Sequence, residues 1–494
     1  MKYYIGADLG TSAMKLLLAD EGGSIVNTVS ETYEAYYPKP GWSEQNPLDW
    51  WKAFVIGVGR LIAEVDAKQI KGIGVGGQMH GLVALDREDT VIRPAILWND
   101  GRTDKETEYL NEVIGKSVLS DCTGNIAFAG FTAPKILWMK NHEPEKVERI
   151  DKIMLPKDYL NYRLTGNHTT DFSDASGMLL LDVKNKCWSE QMLQICGVEK
   201  TWMPELKESF EVIGNLKKEV ASELGLTEEV IVVAGAGDNA AAAVGTGVVC
   251  EGKCNISLGT SGTIFFPMNT FAVDEQNALH AFCHADGRYH LMGCILSAAS
   301  CNKWFCEEIL ADSNYEALQA DITEEKLGEN EVFFLPYLMG ERSPINDTDA
   351  RGTFTGMSMK TSRSDMVQAV LEGVSFAIRD NFEVARSQGI VIKDSYLCGG
   401  GAKSKIWQKI LSNVLDIPLR IPMMEEGPGY GAALLAMVGD GTYRTLDECV
   451  EQFVKEKEII YPDKEIALRY QRQYEKYKKI YPTMKELFKE LKRG

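Results

Sequence analysis

The chain has 494 residues, of which 45% are hydrophobic and 25% are charged. This length exceeds one ordinary hydrophobic core, so we expect two domains or lobes, folded nearly throughout. The formal net charge of -18 would repel a phosphate backbone, which argues against nucleic acid as a partner.

The sequence also indicates a compartment. From Met1 the chain runs directly into a strand-like segment that ends at Gly6, without the apolar stretch and cleavage site of a signal peptide. No run approaches the length of a membrane span. The 11 cysteines include no CxxC pair, which favours reduced thiols over a disulfide framework. We therefore expect a cytoplasmic protein with no membrane partner.

Two similar strand-turn-strand units predict an internal duplication. The first runs from Tyr3 to Ser12 and has Gly10-Thr11-Ser12 at its turn. The second runs from Asn255 to Thr263 and has Gly259-Thr260-Ser261 at its turn. Each unit opens one half of the chain, so the predicted join lies near Val248.

A second repeated feature lies late in each half. Residues 235–240 and 427–433 are rich in Gly and Ala and predict turns that open helices. Strand-like runs at 73–75, 230–234 and 395–398 alternate with amphipathic stretches. This alternation predicts mixed α/β lobes.

Two helices have local signals. Asn46 can cap a helix that begins at Pro47, and apolar residues including Trp50 and Trp51 follow at helical spacing. We expect both tryptophans in the core. Residues 465–493 alternate charged and apolar residues, which predicts a surface helix.

The Gly-Thr-Ser turns are candidate phosphate sites. Such a turn presents backbone N–H groups without bulky side chains, and two turns suit a triphosphate. Asp8 supplies a hard oxygen ligand of the kind that binds Mg²⁺ directly or through water, and Lys15 could reach a phosphate. A single turn of this type is more often a simple hairpin, so the prediction depends on the pair.

A third glycine-rich segment follows a predicted strand and precedes a helical run. It contains Gly400, Gly401, Ala402 and Ser404. Backbone that passes close to a flat ligand requires small residues, so an adenosine site fits this segment. A flexible turn would explain the same residues.

Two longer segments identify a family. Residues 130–142 and residues 352–356 continuing to 370–372 resemble the two signatures of the FGGY carbohydrate kinases, and the resemblance covers essentially the whole chain. It implies two actin-like (ribonuclease H-like) α/β lobes with a duplicated core around a deep interdomain cleft. The lobes would be residues 1–247 and 248–494, the second with a C-terminal helix.

Within that family, five segments are most similar to the kinases of xylulose: residues 40–45, 77–81, 97–102, 235–241 and 257–262. The resemblance implies ATP-dependent phosphorylation of a ketopentose, with D-xylulose the leading substrate and ATP and Mg²⁺ as cofactors. It also implies a homodimer. Ribulose, L-xylulose, gluconate and other polyols share the features that such a site recognises, so the sugar stays open.

The resemblance also assigns roles to four residues. Asp238 would be the general base, Met79 and His80 would contact the sugar, and Asn239 would lie beside the reacting end. A carboxylate aimed at a sugar hydroxyl can accept its proton as the bond to phosphorus forms. Without the resemblance, Asp238 would be interpreted as a helix N-cap and His80 as a core histidine.

Two interpretations from other classes compete with a kinase. The strand, GxGxxA turn and Ala-rich helix at 230–240 would suit a nicotinamide-dependent oxidoreductase, but no strand ending in an acidic residue follows about 20 residues later. A non-catalytic sugar sensor or chaperone ATPase would need the nucleotide turns but no base. Asp238 and His80 argue against it.

One cluster has the residue types of a zinc site. It consists of His280, Cys283, His284 and His290. The spacing does not match a standard structural site, and a strand with a short turn explains it better, so we predict no structural metal.

Overall fold

The computed structural model describes residues 1–423 and 427–492. It contains two large sheets of seven strands each. In the first half the strands are β1 (Tyr3–Leu9), β2 (Ala13–Asp20), β3 (Ile25–Thr32), β4 (Glu44–Gln45), β5 (Ile70–Gly77), β6 (Val83–Leu85), β7 (Ala95–Ile96), β8 (Lys152–Met154), β9 (Thr169–Asp171), β10 (Leu181–Asp182), β11 (Cys187–Trp188), β12 (Glu205–Lys207), β13 (Val212–Asn215), β14 (Ile231–Val233) and β15 (Ala236–Gly237). The helices there are α1 (Pro47–Leu61), α2 (Asp104–Glu108), α3 (Lys116–Thr123), α4 (Thr132–His142), α5 (Pro144–Val147), α6 (Pro156–Thr165), α7 (Phe172–Ala175), α8 (Glu190–Cys196), α9 (Lys218–Leu224) and α10 (Asp238–Gly245).

The second half has fewer strands and longer helices. Its strands are β16 (Asn255–Leu258), β17 (Gly262–Met268), β18 (His280–Cys283), β19 (Tyr289–Ile295), β20 (Phe333–Leu335), β21 (Thr353–Thr355), β22 (Ser395–Cys398), β23 (Leu419–Pro422) and β24 (Glu456–Ile460). Its helices are α11 (Ala299–Trp304), α12 (Tyr315–Gln319), α13 (Arg363–Ser387), α14 (Lys405–Leu415), α15 (Gly427–Gly439), α16 (Leu446–Phe453), α17 (Lys464–Tyr477) and α18 (Ile480–Lys492). Short 3₁₀ or π segments lie at Ala67–Gln69, Tyr109–Gly115, Ser176–Met178, Lys200–Trp202, Phe305–Ile309, Glu324–Lys326 and Gly400–Lys403.

The two large sheets have the same topology. In the first, the path β3-β2-β1-β5-β14-β13 is antiparallel, antiparallel, parallel, parallel and antiparallel. In the second, the path β19-β17-β16-β22-β23-β24 repeats these five pairings in the same order. Strand β18 adds one antiparallel partner beyond β19. The predicted mixed α/β class with a duplicated core is therefore confirmed.

Helix α1 forms as its local signals predict. The Asn46 side chain accepts a hydrogen bond from the backbone N–H of Leu48, and Pro47 occupies the first helical position. Trp50 is fully buried and Trp51 is 6% exposed. Both tryptophans belong to the core of the first sheet, so this prediction is also confirmed.

Helices α10 and α15 cross between the two sheets. Helix α15 belongs to the second half in sequence but packs against β1 and β5 of the first sheet and against α10. A Cβ on Gly6 would lie 2.0 Å from the carbonyl oxygen of Gly429, and one on Gly431 would lie 1.9 Å from that of Ala241. Only glycine permits this approach. A boundary at residue 247 stays a prediction, because α15 follows it in sequence and packs on the first sheet.

The C-terminal segment differs from its prediction. Two helices, α17 and α18, replace the single surface helix expected over 465–493, and residue 493 lies outside the described residues. The Tyr470 hydroxyl donates to Glu372 Oε1 at 2.8 Å, and the Tyr474 hydroxyl donates to Asp380 Oδ1 at 2.6 Å. Helix α17 is thus docked on α13 by buried tyrosines. Across residues 1–423 and 427–492, we find no helix with both the length and the apolar character needed to span a bilayer.

Candidate active site

Asp238 is the first residue of α10 and lies in a cavity between the two sheets. Its Oδ1 accepts hydrogen bonds from the backbone N–H of Asn239 at 2.7 Å and from Asn239 Nδ2 at 2.9 Å. The cavity is about 250 Å³, and its lining includes Asn255, Thr263 and Gly399 from the second half. Burial raises the pKa of the Asp238 carboxyl to about 6. A carboxylate of this kind is more basic than an ordinary aspartate and still ionised at neutral pH.

His80 has a fixed tautomer. Its Nδ1 lies 2.7 Å from the carbonyl oxygen of Gly177. Because a carbonyl only accepts, Nδ1 bears the hydrogen and Nε2 has a free lone pair. The ring stacks on Phe131 with centroids 4.7 Å apart. Burial and the nearby charge of Lys135 lower the His80 pKa to about 3, so the imidazole is neutral.

Lys135 holds the backbone of His80 through a hydrogen bond to its carbonyl oxygen. Its Nζ donates to the carbonyl oxygens of His80 at 2.8 Å and Gly130 at 2.7 Å. The side chain is fully buried, and burial lowers its pKa well below the usual range. Met79, one residue before His80, packs against the loop that leads to Asp238, because a Cβ on Gly237 would lie 3.0 Å from Met79 Cγ. The structure therefore places Met79 against the loop that positions Asp238.

The first Gly-Thr-Ser turn is hydrogen-bonded to the segment that contains Met79 and His80. Thr11 Oγ1 accepts a hydrogen bond from the Trp98 indole at 3.0 Å and donates to Gln78 Oε1 at 3.3 Å. Gln45 Nε2 donates to the Thr11 carbonyl oxygen at 2.6 Å. The Gly10 amide donates to Ala13 within the turn. Ser12 follows Thr11 in the same turn, which thus lies beside residues 78–80.

Asp8 and Lys15 lie in a separate cavity. They are paired across strands β1 and β2 and line a space of about 270 Å³ with Thr28, Ser30 and Gly429. Gly427 and Pro428 line the Asp238 cavity instead, so the two cavities lie on either side of the start of α15. The structure does not bring Asp8 and Asp238 into one cavity.

Asp8 is the predicted magnesium ligand. Within the described part of the chain, no group of three or more His, Cys, Asp or Glu side chains is placed to hold a metal ion. Mg²⁺ in kinases is commonly held by one or two carboxylates together with substrate phosphates and water. A single half-buried carboxylate beside the first Gly-Thr-Ser turn has the donor chemistry for that mode, so Asp8 fits.

The predicted nucleotide residues of the second half share one large cavity. Its volume is about 1210 Å³, and its lining includes Gly259, Thr260, Gly400, Gly401 and Ser404. This volume is ample for a nucleoside with phosphates.

The remaining predicted residues of this region lie close to that cavity. Ser261 belongs to the turn that contains Gly259 and Thr260, and Ala402 to the 3₁₀ segment Gly400–Lys403. Ser404 caps α14 by accepting from the Trp407 N–H, and it bonds Gln319 at 2.6 Å. The structure thus gathers the predicted residues of both segments at one place.

The cluster with the residue types of a zinc site lies on and beside strands β18 and β19. It consists of His280, Cys283, His284 and His290. His280 stacks on Phe282, and His290 stacks on Phe265 with centroids 3.9 Å apart. Burial lowers the pKa of both histidines well below the usual range. Ring packing explains these two side chains, and the prediction of no structural metal stays a prediction.

Sequence reasoning missed several residues that shape this site. Gln45, Gln78, Trp98 and Lys135 lie in segments that resemble the family, but the resemblance gave them no individual role. Gln45, Trp98 and Lys135 bond to partners that are 34 to 87 positions away. Ser173, which accepts a hydrogen bond from the Gly237 N–H at 3.1 Å, is 64 positions from its partner. No local pattern indicates such pairings.

Two duplicated sheets, a nucleotide-sized cavity and a half-buried carboxylate between the sheets are what a two-lobed kinase of a small hydroxylated molecule requires. Family models agree. The model of the FGGY family of carbohydrate kinases, N-terminal domain, matches residues 3–245, and that of the C-terminal domain matches residues 254–439. The chain belongs to the FGGY family of carbohydrate kinases. It is an ATP-dependent sugar kinase.

Known relatives are similar over nearly the whole chain. The protein is 41% identical to the xylulose kinase of Escherichia coli (strain K12) over 483 residues, 97% of this chain and 99% of that protein. A crystal structure of a "xyloylose kinase" from Brucella ovis has a TM-score of 0.94 at 40% identity, covering 98% of this chain and 100% of that one. The gluconate kinase of Lactobacillus acidophilus has a TM-score of 0.93 at 27% identity, covering 98% of each chain. The two-lobed actin-like fold is confirmed, and the oxidoreductase alternative is excluded.

Proposed function

We propose that this kinase phosphorylates D-xylulose to D-xylulose 5-phosphate with Mg-ATP. The observation that supports xylulose is the 41% identity to a xylulose kinase over 97% of the chain. Gluconate is the second candidate, because a similar backbone accommodates it in that relative. Ribulose and L-xylulose complete the alternatives.

Asp238 acts as the general base in this proposal. Asn239 occupies Oδ1, so Oδ2 is the oxygen that meets the sugar hydroxyl. The hydroxyl proton moves to Oδ2 while the sugar oxygen bonds to the γ-phosphorus, and the bond from that phosphorus to the leaving oxygen of ADP breaks. A raised pKa makes the carboxylate a better proton acceptor without protonating it at neutral pH.

His80 and Met79 hold the sugar in this proposal. The free lone pair on His80 Nε2 accepts a hydrogen bond from a sugar hydroxyl, since Nδ1 is committed to Gly177. Met79 offers an apolar side to the carbon chain beside the Asp238 loop. A site built to bond a hydroxyl rejects analogues that lack it, because the buried acceptor is then left unpaired.

The nucleotide occupies the large cavity of the second half, with its phosphates toward the Gly259-Thr260-Ser261 and Gly10-Thr11-Ser12 turns. Asp8 and Lys15 would lie on the metal and phosphate side. When bound, Mg²⁺ would neutralise charge on the transferring phosphates. We expect Asp8→Ala to raise the KM for Mg-ATP about tenfold or more while the KM for sugar changes less than twofold. An unchanged KM for Mg-ATP and a normal rate would contradict this role.

The deciding experiment is a panel of sugars assayed with Mg-ATP. The panel contains D-xylulose, L-xylulose, D-ribulose and gluconate, each with the wild-type protein and with Asp238→Asn. We expect the highest kcat/KM with D-xylulose, at least tenfold above the others. A preference for gluconate would replace the substrate assignment.

The Asp238→Asn variant tests the chemistry separately. The amide keeps the shape of the side chain but cannot accept the proton, so both ligands should bind while turnover falls about a thousandfold. Near-wild-type turnover would refute the base. A homodimer and a cytoplasmic location are further proposals, tested by light scattering and by cell fractionation.

A further inference from the structure

A buried cluster of charged side chains contacts the loop that leads into Asp238. Lys157 Nζ lies 2.5 Å from Asp158 Oδ1, 2.9 Å from Asp171 Oδ1 and 3.7 Å from Asp174 Oδ2. All four side chains are at most 1% exposed. Removing charged groups from water costs several kcal/mol per ion before pairing, so packing alone does not account for this cluster.

Lys157 contacts all three carboxylates of the cluster, and the carboxylates differ in their other partners. Burial raises the pKa of both Asp158 and Asp174. Neither carboxyl oxygen of Asp174 has a hydrogen-bond partner among the residues that the structure describes. Asp171 differs at its other oxygen: Oδ1 lies 2.9 Å from Lys157 Nζ, and Oδ2 accepts from three donors. Asp171 therefore links Lys157 to the hydroxyls of Ser173 and Ser209.

The donors to Asp171 fix the hydrogen of a serine. Asp171 Oδ2 accepts from the Ser173 backbone N–H at 2.8 Å, the Ser173 hydroxyl at 2.5 Å and the Ser209 hydroxyl at 2.8 Å. The carboxylate oxygen accepts from the hydroxyl, so the Ser173 hydroxyl points its hydrogen at Asp171. Its lone pairs are left for another donor.

That donor is the peptide directly before the base. The Gly237 N–H donates to Ser173 Oγ at 3.1 Å. Gly237 precedes Asp238, and on its other side it packs against Met79. The hydrogen bonds therefore have fixed directions: Gly237 donates to Ser173, and both Ser173 and Lys157 donate to Asp171.

We propose that Ser173, oriented by Asp171 and Lys157, is a positioning residue that sets the angle at which Asp238 meets the sugar hydroxyl. The inference rests on Asp238 being the general base, as proposed above. Proton transfer needs the two oxygens within hydrogen-bond reach, and a misplacement of about 1 Å can cost about a hundredfold in rate. Losing one of the contacts that hold the loop should cost less than that.

The first test compares two serine variants of the same segment. Ser173→Ala removes the acceptor of Gly237. Ser176→Ala is the matched control, because Ser176 is equally buried, donates to Phe172 O at 2.7 Å and accepts from Cys283 N at 2.9 Å without contacting Gly237. We expect Ser173→Ala to lower kcat about tenfold with both KM values within about twofold, and Ser176→Ala to keep kcat within about twofold. Ser173→Thr, which keeps the hydroxyl, should restore most of the rate.

A double-mutant cycle tests whether Ser173 acts through Asp238. In the Asp238→Asn background, Ser173→Ala should lower the residual rate less than about twofold. The amide of Asn accepts no proton, so moving it does not reduce the rate further. Ser209→Ala, which removes a second donor from Asp171, should give a smaller loss of kcat in the wild-type background. It keeps the test available if Ser173→Ala does not fold.

The outcomes separate the two proposals. A tenfold loss in both backgrounds, or a wild-type kcat for Ser173→Ala beside an inactive Asp238→Asn, would overturn the positioning role and leave the base in place. Normal turnover of Asp238→Asn would overturn both. A loss confined to KM would also exclude the positioning role.

Discussion

At the scale of single residues, His80 combines a left-handed backbone with a fixed ring. Its φ is 69°, a value that His, Asn and Asp adopt more readily than other non-glycine residues. The Nδ1 hydrogen bond to Gly177 then leaves Nε2 as an acceptor. Backbone and ring therefore serve the same purpose, which is to present one lone pair from a neutral imidazole.

His80→Asn tests this acceptor without straining the backbone. Asparagine tolerates the left-handed φ, but its shorter amide cannot place an acceptor where Nε2 lies. We expect the KM for sugar to rise about tenfold while the KM for ATP stays constant. His142→Asn, at a half-exposed position, is the control and should change neither. An unaltered sugar KM in His80→Asn would exclude the contact.

The pKa of Asp238 predicts the pH dependence of catalysis. The proposed base, Asp238, must be ionised to accept a proton, and burial raises its pKa to about 6. We therefore expect kcat/KM to be constant above about pH 7 and to fall as the pH drops through about 6, approaching tenfold per unit. His80 cannot cause this change, because its pKa is about 3. A profile that stays flat down to pH 4.5 would contradict the assignment.

At the scale of elements, the close packing of α10 and α15 depends on glycines, which have no side chain. Helix α15 approaches β1 so closely that the Gly429 carbonyl oxygen occupies the space of a Cβ on Gly6. Backbone on both sides of the contact leaves nothing flexible to move aside. The approach brings both halves of the chain to the base of the Asp238 cavity, whose lining includes Gly427 and Pro428.

Gly6→Ala should separate the crossing helices from the sheet. A Cβ 2.0 Å from a backbone oxygen forces a shift, and we expect a loss of about 3 kcal/mol in the free energy of unfolding. Gly59→Ala is the control. Gly59 lies on the exposed side of α1 with nothing within 4 Å of its Cβ, so alanine should stabilise the helix by up to about 1 kcal/mol. Urea unfolding measures both, and equal effects would refute the argument.

Local sequence signals predicted helix α1 well, but they did not predict contacts between residues that are far apart in the sequence. The Asn46 cap, Pro47 and the helical spacing after them define α1 within a few residues, which is why its bounds were predictable. The docking of α17 was not, because Tyr470 finds Glu372 98 positions away. Alternating charges suggest an exposed helix. They do not reveal which hydroxyls have buried partners.

The candidate site divides in the same way. Met79, His80 and Asp238 lie in segments whose residues resemble a family, so sequence alone could nominate them. Ser173 lies in no such segment, and its importance follows only from the direction of its hydrogen bonds to Asp171 and Gly237. Positioning residues of this kind require a structure.

At the scale of the whole molecule, the proposed function divides the reactants between the two halves. The residues assigned to the sugar, Met79 and His80, belong to the first half, and the large nucleotide cavity lies in the second. The Asp238 cavity is lined from both. In this arrangement, the distance between the sugar hydroxyl and the γ-phosphate depends on the relative position of the two halves, and phosphoryl transfer requires that distance to be short.

This division predicts that the lobes close when both ligands bind. Water is smaller than any sugar and would compete for the γ-phosphate in an open cleft, so closure both excludes water and aligns the acceptor hydroxyl with phosphorus. We expect X-ray scattering to show a smaller radius of gyration with xylulose and a non-hydrolysable ATP analogue together than with either ligand alone. ATP hydrolysis without sugar should be at least about a hundredfold slower than sugar phosphorylation, because the open cleft lacks the aligned geometry. An unchanged radius together with rapid sugar-independent hydrolysis would show that the cleft does not gate the reaction.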